Sequence, residues 1–242
     1  MTTTRRQFLN SAWAIAAAAA PAYGVLASCT TNDALAQAET VSVQDDPLGF
    51  LDLPPGFAYQ RLSETGMTMS DGFRVPARHD GMGAFAVDYD PDLCVLIRNH
   101  KINLGGADTG PFGKHVGVPA SVPRGAVFDI APDGDPLAGG TTTLVYNTRT
   151  RKLERDFLSL IGTDRNCSGS ITPWGTWLTC EESRATPGDQ VSQLHGCAFE
   201  VRAAARGLVK AEPLRAMGRF NRDGCGPIHG RALDQYRRPR SA

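Results

Sequence analysis

The chain has 242 residues with 25 basic and 25 acidic side chains, so its formal net charge is zero. This length is enough for one sizeable domain, and the balanced charge excludes the global basic field that favours nucleic acid. Gly (26) and Pro (16) are abundant and aromatic residues are only 7% of the chain. That composition is typical of a turn-rich β protein rather than a helical one.

The first 36 residues predict an export signal. Thr4-Arg5-Arg6-Gln7-Phe8-Leu9 is a twin-arginine motif, and an apolar run from Ala12 to Ala27 follows it. Pro21 interrupts that run, which is short for a membrane span. We therefore expect the twin-arginine translocase to export the protein to the periplasm, a route that carries folded proteins and suits a cofactor loaded in the cytoplasm.

Two ends of this signal compete. Ala34-Leu35-Ala36 fits a small-residue cleavage site just before Gln37, which is the end that we favour. Leu26-Ala27-Ser28-Cys29 resembles a lipobox, so a lipid anchor at Cys29 is the alternative. After the signal, the polar residues 38–46 predict a linker.

The first half of the chain predicts three strands, at 57–62, 84–87 and 93–97. His79 and Asp80 precede the second of them and could approach a metal, although a turn that opens the strand explains them equally well. The third is a near-continuous apolar run, Leu93 to Ile97, which predicts a strand covered on both faces. It ends in Arg98-Asn99-His100-Lys101, so we expect these polar side chains at one rim of the domain. A long surface loop is predicted from Leu104 to Pro123.

The second half predicts further strands joined by short turns, at 141–146, 152–160, 176–180, 195–201 and 207–213. Successive antiparallel hairpins without helices predict an all-β fold, either a sandwich or a propeller. We interpret His195 and Trp177 as structural residues, one at the start of a strand and the other facing a core or channel wall.

Six cysteines are present, and export to the periplasm permits disulfides between them. Cys94, Cys180 and Cys197 have the surroundings of small buried residues on strands. Cys167 differs because Asn166, Ser168 and Gly169 flank it, which predicts a polar loop and makes Cys167 a candidate metal ligand.

The stretch from Arg165 to Glu182 concentrates the chemistry of the chain. Pro173-Trp174-Gly175 predicts a turn, and the strand after it ends in Glu181-Glu182. Successive side chains of a strand point to opposite faces, so only one of these two carboxylates can share a face with a given site. A Cys before the turn and a Glu after it could then meet, and a thiolate with a carboxylate is a plausible pair of metal ligands.

This stretch, RNCSGSITPWGTWLTCEES, resembles the signature of the PhoX-type alkaline phosphatases, which are periplasmic phosphomonoesterases. Shorter motifs agree in the same order: HDGMGAF, LIRNH, GGTTTLVYN, HGCAFEV and MGRF. The resemblance covers residues 46 to 220. It implies a β-propeller with metals at one end of its central channel. Residues 37–220 would form the N-terminal part of that domain, a partial propeller with an incomplete set of blades.

The resemblance also implies a site with ferric iron (Fe3+) and calcium (Ca2+). Cys167 would bind iron as a thiolate, and Glu182, or less favourably Glu181, would donate carboxylate oxygen. Asn99 would help to hold the substrate phosphate as a catalytic residue. Lys101 stands where the family has an acidic residue, and this reversal of charge counts against a cation site formed there.

After Phe220 the resemblance stops. Residues 221–242 are rich in Arg and have no alternating apolar pattern, so we expect a divergent, disordered tail that follows a broken or shortened reading frame. A propeller that lacks blades leaves exposed strand edges, so we expect weak or absent phosphatase activity.

Two functions are therefore expected from the sequence. The first is hydrolysis of phosphomonoesters by a monomeric iron- and calcium-dependent phosphatase. The alternative is a non-catalytic exported β-propeller module that binds a partner through its loops. The sequence contains neither a Walker loop nor a G-x-S-x-G motif. The missing G-x-S-x-G motif argues against hydrolysis by a serine nucleophile.

Overall fold

The computed structural model describes residues 42–114 and 116–226 and divides the chain into two compact units, with the boundary between Gln60 and Arg61. This boundary falls inside the domain predicted from 37 to 220. The predicted export signal, including Cys29, lies outside the described residues, as do positions 227–242 of the predicted tail. Within the described part, no helix has the length and apolar character needed to span a bilayer.

The first unit, as far as the structure describes it, is organised around the carboxylate of Asp46. This carboxylate accepts hydrogen bonds from the hydroxyl of Tyr59 and from the backbone amides of Leu48, Phe50 and Leu51. The Tyr59 hydroxyl is the largest cause of a pKa lowered to about 2 for Asp46. The strand predicted over 57–62 is wrong, because residue 57 closes a turn and donates to the carbonyl of Pro54.

The second unit contains seven strands among its described residues. Four of them form one antiparallel sheet in sequence order, β1 (His79–Ala86), β2 (Leu93–His100), β3 (Gly139–Asn147) and β4 (Lys152–Thr163). Three form a second antiparallel sheet, β5 (Asn166–Ile171), β6 (Thr176–Glu181) and β7 (Ala198–Arg202). The helical segments of the described residues are short 3-10 turns at Ala107–Thr109, Arg124–Ala126 and Arg215–Met217.

The all-β prediction is confirmed. A four-stranded antiparallel meander is the arrangement of one propeller blade, and the second sheet repeats it with three strands. These two sheets agree with the predicted partial β-propeller, and the described strands do not close a ring.

Three local predictions differ from the structure. The strand expected from His195 begins only at Ala198, because His195 is held by buried carboxylates. The segment 207–213 forms no strand; it makes isolated backbone hydrogen bonds, from Val209 to Ser159 and from Ala211 to Ala126. Cys167 lies in strand β5 and not in a loop, because this strand pairs with β6 despite its small and polar residues.

The core that joins the two sheets comes from alternating apolar positions. Ile97 of β2 and Leu160 of β4 pack with Trp177 of β6 and with Phe199 and Val201 of β7, and all five side chains are buried. Burial of such side chains contributes roughly 1.5–3 kcal/mol each. This shared core holds the ends of β2, β5 and β6 together, which is where the candidate site lies.

Gly140 of β3 marks a close backbone approach to β4. A Cβ at this position would lie 2.0 Å from the carbonyl oxygen of Leu160, in the backbone ladder of the sheet. The neighbouring atoms are backbone, so the clash cannot be relieved by rotating a side chain.

We predict that Gly140→Ala destabilises the protein by about 1–3 kcal/mol or more, because an added methyl group must push two paired strands apart. Urea denaturation would measure the change in the free energy of unfolding. Gly207→Ala is the matched control, since its new methyl group would meet nothing within 4 Å. Equal stability of the two variants would contradict the close approach.

Candidate metal centre

Three side chains that can bind a metal converge at the end of the second sheet. Cys167, Glu182 and Asp223 each offer one ligand atom, and these atoms lie within 4.8 Å of one another. Cys167 lies near the start of β5, Glu182 directly follows β6, and Asp223 belongs to the segment after Phe220. A thiolate with two carboxylates is a donor set for a transition metal or a mixed cluster.

Cys167 is 5% exposed, and its position is fixed by the neighbouring sheet. The side-chain amide of Asn99 donates to the carbonyl oxygens of Cys167 (2.7 Å) and Ser168 (3.2 Å). Gly81 of β1 lies against the same peptide, since a Cβ there would be 2.9 Å from the Cys167 carbonyl oxygen. Residues of the first sheet therefore hold in place the β5 backbone that carries the thiol.

Asn99, predicted to contact phosphate, is fully buried at the end of β2. Its Oδ1 accepts a hydrogen bond from the indole Nε1 of Trp177 (2.9 Å), while its Nδ2 donates to the carbonyl oxygens of Cys167 and Ser168. The geometry thus assigns this amide a positioning role between the sheets. The predicted contact with phosphate stays a prediction.

Glu181 and Glu182 point to different surroundings, as the alternation of a strand requires. Glu182 lies beside Cys167, as expected. Glu181 does not: it is 0% exposed, and its carboxylate accepts hydrogen bonds from the backbone amides of Asp164, Gly196 and Cys197. The structure therefore places Glu181, a predicted metal ligand, in a separate buried network.

That network is completed by His195, whose two ring nitrogens both face carboxylates. Nδ1 lies 2.6 Å from Oε1 of Glu181, and Nε2 lies 2.9 Å from Oδ2 of Asp129. An ionised carboxylate only accepts hydrogen bonds, so this arrangement favours the protonated ring, in which both nitrogens donate. Burial opposes that charge on His195, but the hydrogen bonds and charges of Glu181 and Asp129 outweigh it and raise the pKa of His195. The structural role predicted for this histidine follows.

Asp223 is a candidate ligand that the sequence pattern did not predict, because it lies in the predicted tail. The described part of that tail is paired: Asn221 forms a bridge with Glu182, and the amide of Ser168 donates to the carbonyl of Asp223 at 2.7 Å. A disulfide between Cys180 and Cys225 fastens the same segment to β6, across 45 positions of sequence. Cys180 is buried on β6, as its surroundings predict, and it also forms this disulfide. The closely spaced Asp223 and Cys225 were the available signal.

Two cationic side chains lie among these ligands. The ammonium of Lys101 is 2.6 Å from Oε2 of Glu182 and 3.1 Å from the sulfur of Cys167. A guanidinium nitrogen of Arg165 lies 3.3 Å from the same Glu182 oxygen. Lys101 holds the pKa of the Glu182 carboxyl below its usual range. Burial, together with the hydrogen bond from sulfur to Asp223 (2.8 Å), raises the pKa of Cys167.

His79 and Asp80, predicted as possible metal neighbours, separate in the structure. Oδ1 of Asp80 lies 3.8 Å from the sulfur of Cys167, at the edge of the site. The ring of His79 lies instead 3.0 Å from the carbonyl of Pro76 and stacks edge-on against His100. Asp80 alone is close enough to join the cluster.

The buried imidazolium predicts a pH-dependent stability. The folded pKa of His195 lies above the unfolded value of about 6.5, so its contribution is complete below about pH 6.5 and is lost as the pH rises through the folded pKa. We expect His195→Asn to lose about 3–5 kcal/mol at pH 6, because two buried carboxylates lose their cation, and to lose less at pH 9.

Urea denaturation at the two pH values measures this difference. His79→Asn is the control, because His79 is outside the network and burial lowers its pKa. A loss of stability in His195→Asn that is the same at both pH values would show that the imidazolium is not the stabilising form.

Comparison with known proteins identifies one matching family. A family model described as "Alkaline phosphatase PhoX" matches residues 37–120 and 135–230, and so includes Cys167, Glu182 and Asp223. Among solved structures, the chain is similar to Pseudomonas fluorescens PhoX in complex with vanadate, a transition state analogue, with 15% identity and a TM-score of 0.41. That match covers 71% of this chain and 43% of the Pseudomonas fluorescens chain, so this chain spans less than half the length of the solved protein. A search of curated proteins found no match.

Proposed function

The chain belongs to the PhoX alkaline phosphatase family, and from this premise we propose that it hydrolyses phosphomonoesters at a metal centre held by Cys167, Glu182 and Asp223. The single observation that carries the proposal is the convergence of these three ligand atoms within 4.8 Å, although they come from three separate segments. A metal bound there would supply charge stabilisation at the phosphoryl oxygens and an activated water.

The donor set fits the proposed metals by its chemistry. Sulfur suits iron, carboxylate oxygens suit both Fe3+ and Ca2+, and together the three ligands can carry three negative charges. Asp223 already accepts the hydrogen of the Cys167 thiol and is exposed, so it is placed to pass that proton on to solvent when sulfur binds a metal. Lys101 counts against the fit, because a metal that contacts both Cys167 and Glu182 must displace its ammonium.

The other residues of this end have supporting roles in the proposal. Asn99 fixes the peptide that carries Cys167, and Arg165 sits beside Glu182 with a cationic group that can bind phosphate oxygen. Arg165 adopts a left-handed backbone conformation, with φ of 54°, in the short turn between β4 and β5. Such strain is common where a functional side chain must be aimed.

A non-catalytic exported binding module is the second candidate. The observation that favours it is Lys101, which already neutralises Glu182 and contacts Cys167 without a metal. In both cases we propose a periplasmic, monomeric protein exported through the twin-arginine route, with a lipid anchor at Cys29 as the alternative. This part of the proposal rests on residues 1–36 of the sequence. That the phosphatase activity is weak stays a prediction.

We predict that the purified protein hydrolyses p-nitrophenyl phosphate slowly when supplied with iron and calcium, and that Cys167→Ser loses both bound iron and this turnover. Loss of a metal ligand should lower kcat by about 100-fold or more, since loss of a residue that only hydrogen-bonds to a metal ligand already costs roughly 10–100-fold. Metal analysis and a steady-state assay would measure the two effects together.

Cys94→Ser is the matched control, because Cys94 is a free cysteine on β2 outside the cluster. A folded protein without iron, or full activity in Cys167→Ser, would count against the phosphatase and favour the binding module.

A further inference from the structure

The side chain of Lys101 lies among the proposed metal ligands, and the backbone of Lys101 fixes this position. Strand β2 ends at His100, and the amide of Lys101 donates to the carbonyl of Arg78 at 2.8 Å, which fixes where the side chain starts. From there the side chain, 29% exposed, reaches Glu182 at 2.6 Å and Cys167 at 3.1 Å. It is held by two of the three ligand atoms and is not a free surface lysine.

A metal ion cannot bind the same two atoms while this ammonium remains. Metal–sulfur and metal–oxygen bonds are about 2.0–2.6 Å long, so a cation bridging Cys167 and Glu182 would lie within contact distance of the lysine nitrogen. Two cations at such a separation repel each other strongly in a partly buried site. The ammonium and the metal therefore compete for one place.

The charges around the cluster indicate that the ammonium is needed when no metal is bound. Glu182, Asp223 and Asp80 are three carboxylates near the sulfur of Cys167. Lys101 contacts that sulfur and the carboxylate of Glu182. Arg165 also reaches Glu182, at 3.3 Å, on the carboxylate side of the cluster. Lys101 is thus the cation that joins the sulfur side to the carboxylate side.

We propose that Lys101 is a built-in counter-cation that occupies one metal position of this centre, so that the protein binds metal only by displacing its own ammonium. The inference rests on the proposed function, because it assumes that Cys167 and Glu182 are the ligands. Two consequences follow: the affinity for metal is lower than the ligands alone would give, and the metal-free form is stabilised.

Cobalt(II) is a suitable probe, because thiolate bound to Co2+ gives a charge-transfer absorption in the near ultraviolet that reports on Cys167. We expect Lys101→Gln and Lys101→Met to lower the dissociation constant for Co2+ by about tenfold or more, since each removes a cation in contact with two ligands. Lys210→Gln is the matched control, because Lys210 forms a 2.6 Å pair with Glu212 on an exposed surface. Its affinity should equal that of the wild type.

Thermal unfolding gives a second measurement that is independent of any spectrum. Without metal, Lys101→Gln should melt about 2–4 °C below the wild type, and saturating Co2+ should remove that difference. A metal-free Lys101→Gln that is as stable as the wild type would contradict the role of the lysine as counter-cation.

The titrations separate this inference from the proposed function. A charge-transfer band that appears equally, with equal affinity, in wild type and Lys101→Gln overturns the inference and leaves Cys167 as a ligand. A band absent from both proteins, or one that survives in Cys167→Ser, overturns the inference and the proposed centre together. Tighter binding in both Lys101 variants, lost on adding Cys167→Ser, supports both.

Discussion

The side-chain amide of Asn99 joins the two sheets at the point where Cys167, Glu182 and Asp223 meet, and the geometry of this cluster depends on it. Its donor nitrogen holds the carbonyls of Cys167 and Ser168, and its oxygen accepts from Trp177. A buried amide with unmet hydrogen bonds costs roughly 1–3 kcal/mol per group, so this arrangement favours one relative position of β2, β5 and β6. The thiol of Cys167 is placed by that choice.

Near this amide, the neighbouring carboxylates of Glu181 and Glu182 have different surroundings and different proposed roles. Glu181 and Glu182 are neighbours in sequence, but one accepts hydrogen bonds only from inside the fold while the other faces two cations. The buried Glu181 and His195 stabilise the end of β6, and Glu182 is presented by the residue that follows. A rigid strand end is a suitable support for a ligand, because the position of a metal depends on small displacements of its donors.

The segment after Phe220 shows how a short piece of chain brings Asp223 to Cys167 and Glu182. It pairs with Glu182 through Asn221, bonds to Ser168 through Asp223 and closes a disulfide to β6 through Cys225. The sequence gives no alternating pattern here, so propensity alone predicted a tail. Residues 221–225 are instead held by the pairing of Asn221 with Glu182 and by the disulfide between Cys225 and Cys180.

Sequence alone determined the all-β character and the existence of a strand at 93–97, and it predicted that Cys167 lies near one acid of Glu181-Glu182, because these follow from local periodicity and from a motif of fixed spacing. The expected cover on both faces of that strand is wrong, because only Val95 and Ile97 are buried there. The sequence could not decide that Cys167 lies in a strand, that Asp223 joins it, or that Lys101 points at both Cys167 and Glu182. Those contacts link residues more than 40 positions apart. They depend on how two sheets pack and on a disulfide, and only the tertiary structure sets the distance between charges that no local pattern connects.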